Sequence, residues 1–376
     1  MPRPRIPITA MGAEVPIARR NLLSDRVKFL MALGGVTLAV VLILVIQSVY
    51  QGVKREYASF IDDLPGDAWV AQKGISGMVF SNSFLTPDDA AKVAAIPGVT
   101  AVHRLYGRLA SFEVDGDEGG LYVWAVAPGG NLTPEERRML PELGTIFIDR
   151  SFAQRVGVSR GEAVSYDGSK LTVAEVGRVG NVLMAEFGLI SPEDYFRLFG
   201  DPGAAKFFLV SLGPEASDST LEEIAQRIDR SSVYTKEEFI GVAQEPVHDF
   251  LPMVRVVMAL SLVVGLGILS LTIYSATIER SREYGIMKVL GASPIRLYRI
   301  VFSQSAIIAL LGFGIGVGLS FLFNRTAGDI VPQFVTYIRW QDVVLVFGIT
   351  AFMTFAASFL PMNRVARVDP ASVFRA

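Results

Sequence analysis

The chain has 376 residues, 51% of them hydrophobic, with a formal net charge of −2 and a mean hydropathy of +0.41. That is too apolar for an ordinary soluble protein and fits a chain with several membrane spans. It contains no cysteine, which excludes disulfides and thiolate sites; its two histidines, His103 and His248, are too few and too isolated for a zinc-hydrolase motif; and its balanced charge offers no nucleic-acid footprint.

Residues 1–28 are polar and basic, and prolines at positions 2, 4, 7 and 16 make their start irregular. A short amphipathic helix over 17–29 fits a segment lying along the inner membrane face. The apolar run 29–47 is longer than a signal-peptide core, and no Ala-x-Ala site follows it. It reads as a retained first span, with transmembrane helix 1 and the start of a stalk over 29–52.

Residues 53–253 read as an extracytoplasmic α+β domain with helical stalks. Three helix starts share one pattern, a capping hydroxyl, a proline and then acids: Thr86-Pro87-Asp88-Asp89, Thr133-Pro134-Glu135-Glu136 and Ser191-Pro192-Glu193-Asp194. Strand-like runs lie at 68–72, 99–114, 121–127, 145–148 and 207–212, and the runs 163–166 and 171–176 flank Asp167-Gly168, a favoured hairpin turn. The stretch 115–120 lacks the alternating oxygen ligands of a calcium loop and reads as a hairpin tip. Asn131-Leu132-Thr133 matches a glycosylation acceptor but reads better as a helix start. His103, in a strand, and His248, in a helix, have packing or surface roles. No nucleophile elbow, dinucleotide fingerprint or Walker A sequence occurs, so no catalytic, cofactor or metal residues are expected here, and any ATPase is expected on another chain.

The second span covers 254–278. A charged loop, 279–299, follows, with Arg280, Arg282, Lys288, Arg296 and Arg299 against Glu279 and Glu283. A short loop rich in Lys and Arg is cytoplasmic. The helix of the second span is expected to continue from Glu279 to Leu290, with Gly291 at positive φ just past its end. Ser293 and Pro294 then cap and open the next helix. The third span, 300–323, holds Gly312, Gly314, Gly316 and Gly318, two interleaved Gly-x-x-x-Gly pairs that suit either packing within one subunit or a dimer interface. A short outer loop, 324–342, leads to the fourth span, 343–361, closed by Pro361; the tail, 362–376, carries Arg364, Arg367 and Arg375. The fold expected is therefore an α-helical membrane protein with four transmembrane helices, a large α+β extracytoplasmic domain between the first and second, and both termini inside. Apart from Arg255 at the very start of the second, the spans contain no Asp, Glu, Lys or Arg. That disfavours an ion-coupled carrier, which places ionisable groups near the midplane, and an intramembrane enzyme.

The run Arg280-x-Arg282-Glu283-Tyr284-Gly285-Ile286-x-Lys288-x-Leu290-Gly291-Ala292-Ser293 resembles the cytoplasmic loop of the FtsX/MacB-like (type VII) ABC permeases. Ala18-Arg19-Arg20-Asn21-Leu22-Leu23 looks like the family's leading helix, and the stretch from Asn363 to Pro370 looks like its ending. The resemblance implies a permease subunit whose loop docks on a separate ATP-binding subunit through Arg280, Arg282, Glu283, Tyr284, Gly285, Lys288, Gly291 and Ala292. It implies a homodimer in the cell membrane of a bacterium, in contact with lipid, with ATP and Mg held by the partner ATPase and with a membrane-fusion protein as a further partner. Movement of the outer domain would then serve export or extraction of a lipid, lipoprotein, peptide or drug. The alternative is a signalling or scaffold protein that activates an extracytoplasmic enzyme such as a cell-wall hydrolase. The chain departs from MacB in lacking a fused ATPase, and from the FtsX cell-division proteins in its larger insert.

The orientation is testable without background, because the chain has no cysteine. In intact cells Ser169→Cys should react with an impermeant thiol reagent and Ser281→Cys should not. The reverse labelling would overturn the charge-based topology.

Overall fold

A computed structural model of the protein describes residues 25–366 apart from positions 80, 82, 183 and 184. The N-terminal motif at Ala18–Leu23, and Arg367, Arg375 and the end of the C-terminal motif, lie outside the described residues. The elements in chain order are α1 (Arg26–Asp62), β1 (Ala68–Gln72), α2 (Pro87–Ala94), β2 (Val99–Val114), β3 (Asp117–Ala127), α3 (Pro134–Arg138), β4 (Thr145–Ile148), α4 (Arg150–Val156), β5 (Ala163–Tyr166), β6 (Ser169–Val176), β7 (Asn181–Val182), β8 (Ala185–Ile190), α5 (Pro192–Phe199), β9 (Phe207–Leu212), α6 (Asp218–Arg227), β10 (Ser231–Thr235), α7 (Lys236–Ala243), α8 (Glu245–His248), α9 (Leu251–Glu279), α10 (Ser281–Val289), α11 (Pro294–Ile330) and α12 (Trp340–Ala366). They divide into an α+β unit, Val49–Leu251 with Thr326–Tyr337, and an apolar helical unit formed by the rest.

In the α+β unit the local signals act as their chemistry requires. Thr86 and Thr133 each cap a helix in a reciprocal box with Asp89 and Glu136, and Ser191 accepts from the Asp194 amide; a proline opens each helix. Asp115 (φ 49) with Gly116 (φ 93), and Asp167 (φ 46) with Gly168 (φ 76), take the two consecutive positive-φ positions of tight hairpins. The first pair turns β2 into β3, so the stretch 115–120 is a hairpin tip followed by strand.

The strands run in the order β10-β1-β9-β2-β3-β8-β4-β6-β5, and Glu113 of β2 pairs with Ser165 of β5. Six strands thus close on themselves, and β9, β1 and β10 extend the sheet beyond β2. Both faces are covered, which explains the unbroken apolar runs. Phe208 and Val210 enter one core with Val93, Phe152, Tyr195 and Ile224 from four helices. Their neighbours Phe207 and Leu209 enter a second core with Tyr57, Phe60 and Ile61 of α1 and Phe239 of α7. There the Trp69 ring stacks on Phe239 at 4.1 Å, and Phe60 lies 4.8 Å from Phe187. Burial of each such ring contributes about 1.5–3 kcal/mol. The end of the α+β unit is helical in short pieces, α7 and α8, with breaks before α9 begins. His103 is a core residue, its Nδ1 accepting from the Gly129 amide and its Nε2 against Ser211 Oγ at 3.2 Å, whereas His248 is exposed.

Among the described residues, four helices are long and apolar enough to cross a membrane. The α1–α9 contact is glycine-made. A Cβ on Gly35 would stand 2.6 Å from Ile268 Cγ2, and one on Gly265 would stand 2.8 Å from the Ala39 Cβ. Pro361 does not close the last helix; α12 runs through it to Ala366. A span tolerates the lost backbone bond because its neighbours and local adjustments absorb it.

Lys206, just before β9, is a cation inside the second core. Its Nζ donates to the Val79 carbonyl at 2.6 Å and to the Tyr122 hydroxyl, and lies 5.7 Å from the Trp124 ring centre. Burial lowers its pKa from 10.5 to about 8. Below about pH 8 both folded and unfolded chains carry the charge, and the folded state bears the full desolvation cost. Between about 8 and 10.5 only the unfolded chain binds the proton, so this group raises stability with pH in that window. Urea unfolding of the full chain, followed by tryptophan fluorescence, should show the difference between wild type and Lys206→Met changing by on the order of 2 kcal/mol across the window, after allowance for partial solvent screening. A flat difference would mean that the ammonium is solvated.

Candidate functional site

The charged stretch after the second span does not simply prolong α9. Arg280, at φ −101 and ψ 13, interrupts the helix, and α10 begins at Ser281. The expectation of one continuous helix from Glu279 to Leu290 is corrected at that residue. Beside the break, the Lys28 ammonium of α1 bonds the Glu279 carboxylate and also pairs with Asp25 at 3.1 Å. The start of α1 and the end of α9 therefore lie at one end of the apolar unit.

The far end of α10 is closed by two reversed backbone bonds. The Gly291 amide donates to the Lys288 carbonyl at 3.1 Å and the Ala292 amide to the Met287 carbonyl at 2.9 Å. This cap needs positive φ at the residue just past the C-cap Leu290, and Gly291 there has φ 90. Ser293 then accepts from the Arg296 amide at 3.4 Å, and Pro294 opens α11. The helix, tight break and helix expected here are present, with α10 short and separately capped.

The residues singled out by the family motif divide by exposure. Tyr284 and Gly285 are buried; Tyr284 packs with Leu297, Ile300 and Val301, and burial pushes its phenol above the usual tyrosine range. They hold α10 against the other helices and offer no surface. Arg282, Glu283 and Gly291 are exposed, while Arg280, Lys288 and Ala292 are half-buried, with Arg280 3.5 Å from Glu283. The outward face also presents Ile286, Val289, Leu290 and Ile295, Leu290 being 81% exposed. Ile286 and Leu290 stand in the family motif but were not among the expected contact residues, and Val289 and Ile295 were not singled out at all. Positions 282, 286 and 289 share a helix face, so the spacing held the signal, but Tyr284 with Met287 offered a competing apolar face.

The glycine stripe of α11 also divides in two. A Cβ on Gly312 would lie 2.8 Å from Val36 Cγ1, and one on Gly316 would lie 2.6 Å from Val40 Cγ1. These two let α1 approach, and Thr37 Oγ1 donates to the Gly312 carbonyl at 3.4 Å. Gly314 and Gly318 are exposed, with nothing within 4 Å of an added Cβ.

Within the α+β unit, the segment Thr326–Tyr337 packs on α1 and β8. The Arg55 guanidinium lies 4.3 Å over the Tyr337 ring, Gln333 Nε2 is 3.4 Å from Glu186 Oε1, and a Cβ on Gly52 would overlap the Val335 carbonyl. Glu186 is buried and paired with Arg155. Among the described residues, no His, Asp and Glu group is arranged to hold a metal ion.

Two family models match the chain: the MacB-like periplasmic core domain over residues 29–228 and the FtsX-like permease C-terminal domain over 255–370. Among curated proteins, the macrolide export ATP-binding/permease protein MacB of Escherichia coli is 25% identical over 186 residues, covering 46% of this chain and 28% of that protein. The uncharacterized ABC transporter permease YknZ of Bacillus subtilis is 28% identical over 190 residues, covering 46% of each. The matched part thus spans less than half the length of either relative. The solved periplasmic region of MacB from Actinobacillus actinomycetemcomitans aligns with 49% of this chain and 95% of its own at 9% identity and a TM-score of 0.34.

The two halves of the glycine stripe should respond differently to substitution. Gly312→Val and Gly316→Val overpack α11 against α1 and should cost about 1–3 kcal/mol each, read as a lower melting temperature of the detergent-purified chain. Gly314→Val and Gly318→Val should leave that temperature within error. Equal losses at all four positions would contradict the division.

Proposed function

This chain belongs to the FtsX/MacB-like family of ABC-transporter permeases, and from that premise we propose that it couples ATP hydrolysis by a separate nucleotide-binding subunit to movement of its α+β domain. The work done is export or extraction of a lipid, lipoprotein, peptide or drug across or from a bacterial cell membrane. The observation that carries the reading is the outward face of α10 and the turn after it. Ile286, Val289, Leu290 and Ile295 are exposed beside Arg282 and Glu283, on a short segment anchored by buried Tyr284 and closed by a rigid cap. A mixed patch of apolar and charged side chains on a fixed support suits docking of another protein.

In this reading Arg280, Arg282, Glu283, Lys288, Gly291 and Ala292 meet the ATPase together with the four apolar residues, while Tyr284 and Gly285 set the angle of α10. ATP and Mg belong to the partner. The exposed Gly314 and Gly318 are the part of the α11 stripe free to meet a second copy of the chain, which supports the homodimer expected of the family. Both termini, with the α10 segment, face the cytoplasm, and the α+β domain meets a membrane-fusion protein outside.

The test is co-purification of an ATPase with the tagged chain from native membranes, and the ATPase rate of the complex. Leu290→Asp places a carboxylate in the apolar patch and should reduce co-purification at least tenfold. Gly291→Val has open space for its side chain but is strained at φ 90. The strain costs on the order of 1–3 kcal/mol, enough to misplace a docked turn and too little to unfold the helices; stimulation should fall while membrane insertion stays normal. Arg282→Lys keeps the charge, loses the two-pronged hydrogen bonding, and should impair stimulation. If all three retain and stimulate the ATPase like the parent, the segment is only a topology marker.

A further inference from the structure

The α+β unit contains a cleft of about 1170 Å³ that neither the helix contacts nor the ATPase reading uses. It is bounded by α3 and the turns around it, by the ends of β3, β4 and β6, and by the start of α5. Its floor is apolar: Val126 and Phe147 are buried there, and the Arg178 guanidinium lies 5.4 Å over the Phe147 ring. One wall adds Leu132, Leu140 and Leu143, the last 69% exposed. Ligand sites are commonly concavities of this order, mostly apolar, with a few polar groups placed to fix orientation.

The charges in the cleft are unequal in commitment. Arg178 pairs with Glu175 at 2.9 Å and is neutralised by it. Arg137, Arg138 and Arg160 also line the cleft, all three exposed, and make no ion pair among the described residues. The remaining acids on the lining are Glu142 and Glu193, both exposed. Three uncommitted guanidiniums, each a planar fork of donors, favour a carboxylate or phosphate over a neutral or cationic group. Leucines in the same concavity favour hydrocarbon beside that anion.

We propose that this cleft binds an amphipathic anion, an acyl chain with a carboxylate or phosphate head: the head on Arg137, Arg138 and Arg160, the chain along Leu132, Leu140, Leu143 and Phe147. The site is independent of the ATPase reading, because it lies within the α+β unit and needs no partner chain.

The test uses the full chain in nanodiscs of zwitterionic lipid. Glu142→Cys, the only thiol in the chain, carries an environment-sensitive fluorophore at the cleft rim. The probes are dodecanoate and dodecyl phosphate, below their micelle concentrations, with dodecanol and inorganic phosphate as the separated halves and empty nanodiscs as the partition control. Dodecanoate and dodecyl phosphate should bind saturably, and dodecanol and inorganic phosphate at least about tenfold more weakly. Arg137→Gln with Arg138→Gln should weaken dodecanoate at least about tenfold, the loss expected for charge-assisted hydrogen bonds, with an unchanged melting temperature. Leu143→Gln should weaken the chain-bearing probes and leave inorganic phosphate unaffected. Inorganic phosphate binding as tightly as dodecyl phosphate would reduce the cleft to a simple anion site and overturn the proposal. Non-saturable uptake, or dodecanoate binding unchanged in both variants, would show partition into the bilayer and overturn it too. An acidic peptide that displaces dodecanoate at equal concentration would assign the cleft to a protein partner instead.

Discussion

Where α1 meets α9 and α11, glycines stand in place of side chains: Gly35 and Gly265 on one contact, Gly312 and Gly316 on the other. Lipid tails are as apolar as leucine, so helices in a bilayer gain little from burying apolar area against each other and depend on close packing and hydrogen bonds. Every other feature of the apolar unit depends on that approach. Ala32, Val36, Val40, Ile43 and Leu44 of α1 are buried only because α9, α11 and α12 come close enough to cover them. The same helix continues into the α+β unit, where Tyr57, Phe60 and Ile61 fill the core under the sheet. One helix thus has two different buried faces, each set by its own surroundings.

Many hydroxyls within the apolar unit are satisfied close to home, while those of Thr37 and Ser270 bond across to the Gly312 and Ala357 carbonyls. Ser261, Thr272, Thr277, Ser305, Ser320, Thr350, Thr354 and Ser358 each donate to the carbonyl four residues earlier. Such bonds dispose of a hydroxyl without a partner helix. Asp342, buried at the start of α12, is held by Arg339 through both carboxylate oxygens and by Gln47 at 3.2 Å. It serves as a charge clamp at a helix end and not as a site within the span.

The two segments outside regular packing are held differently. The turn after α10 is fixed by its own backbone, through the bonds around Gly291, and its side chains are left outward. The segment Thr326–Tyr337 is the end of α11 followed by a stretch without regular structure, and that stretch is fixed by what it touches: Arg55, Gly52 and Glu186. The first arrangement presents a surface on a stable support. The second ties the segment between α11 and α12 to α1 and β8 within the α+β unit.

Much of this was legible in residue order, because the deciding physics is local. Span lengths follow from apolar runs. Helix starts follow from Thr86, Thr133 and Ser191 with their prolines and acids, the hairpins from Asp115-Gly116 and Asp167-Gly168, and the break after α10 from Gly291, Ser293 and Pro294. The motif from Arg280 to Ser293 also carried the family. Tertiary structure decided what local chemistry leaves open. Tyr284 and Ile286 are both apolar residues on a nine-residue helix, and only the presence of Leu297 and Ile300 beside the first makes it the buried one. Gly312 and Gly314 are equivalent in sequence, and only the position of Val36 separates a packed glycine from a free one. The order of the strands, the closure of β5 onto β2 and the meeting of Val126, Arg160 and Glu193 on one cleft join residues far apart in the chain. No local preference specifies such contacts, because their free energy comes from burial and charge in the assembled fold.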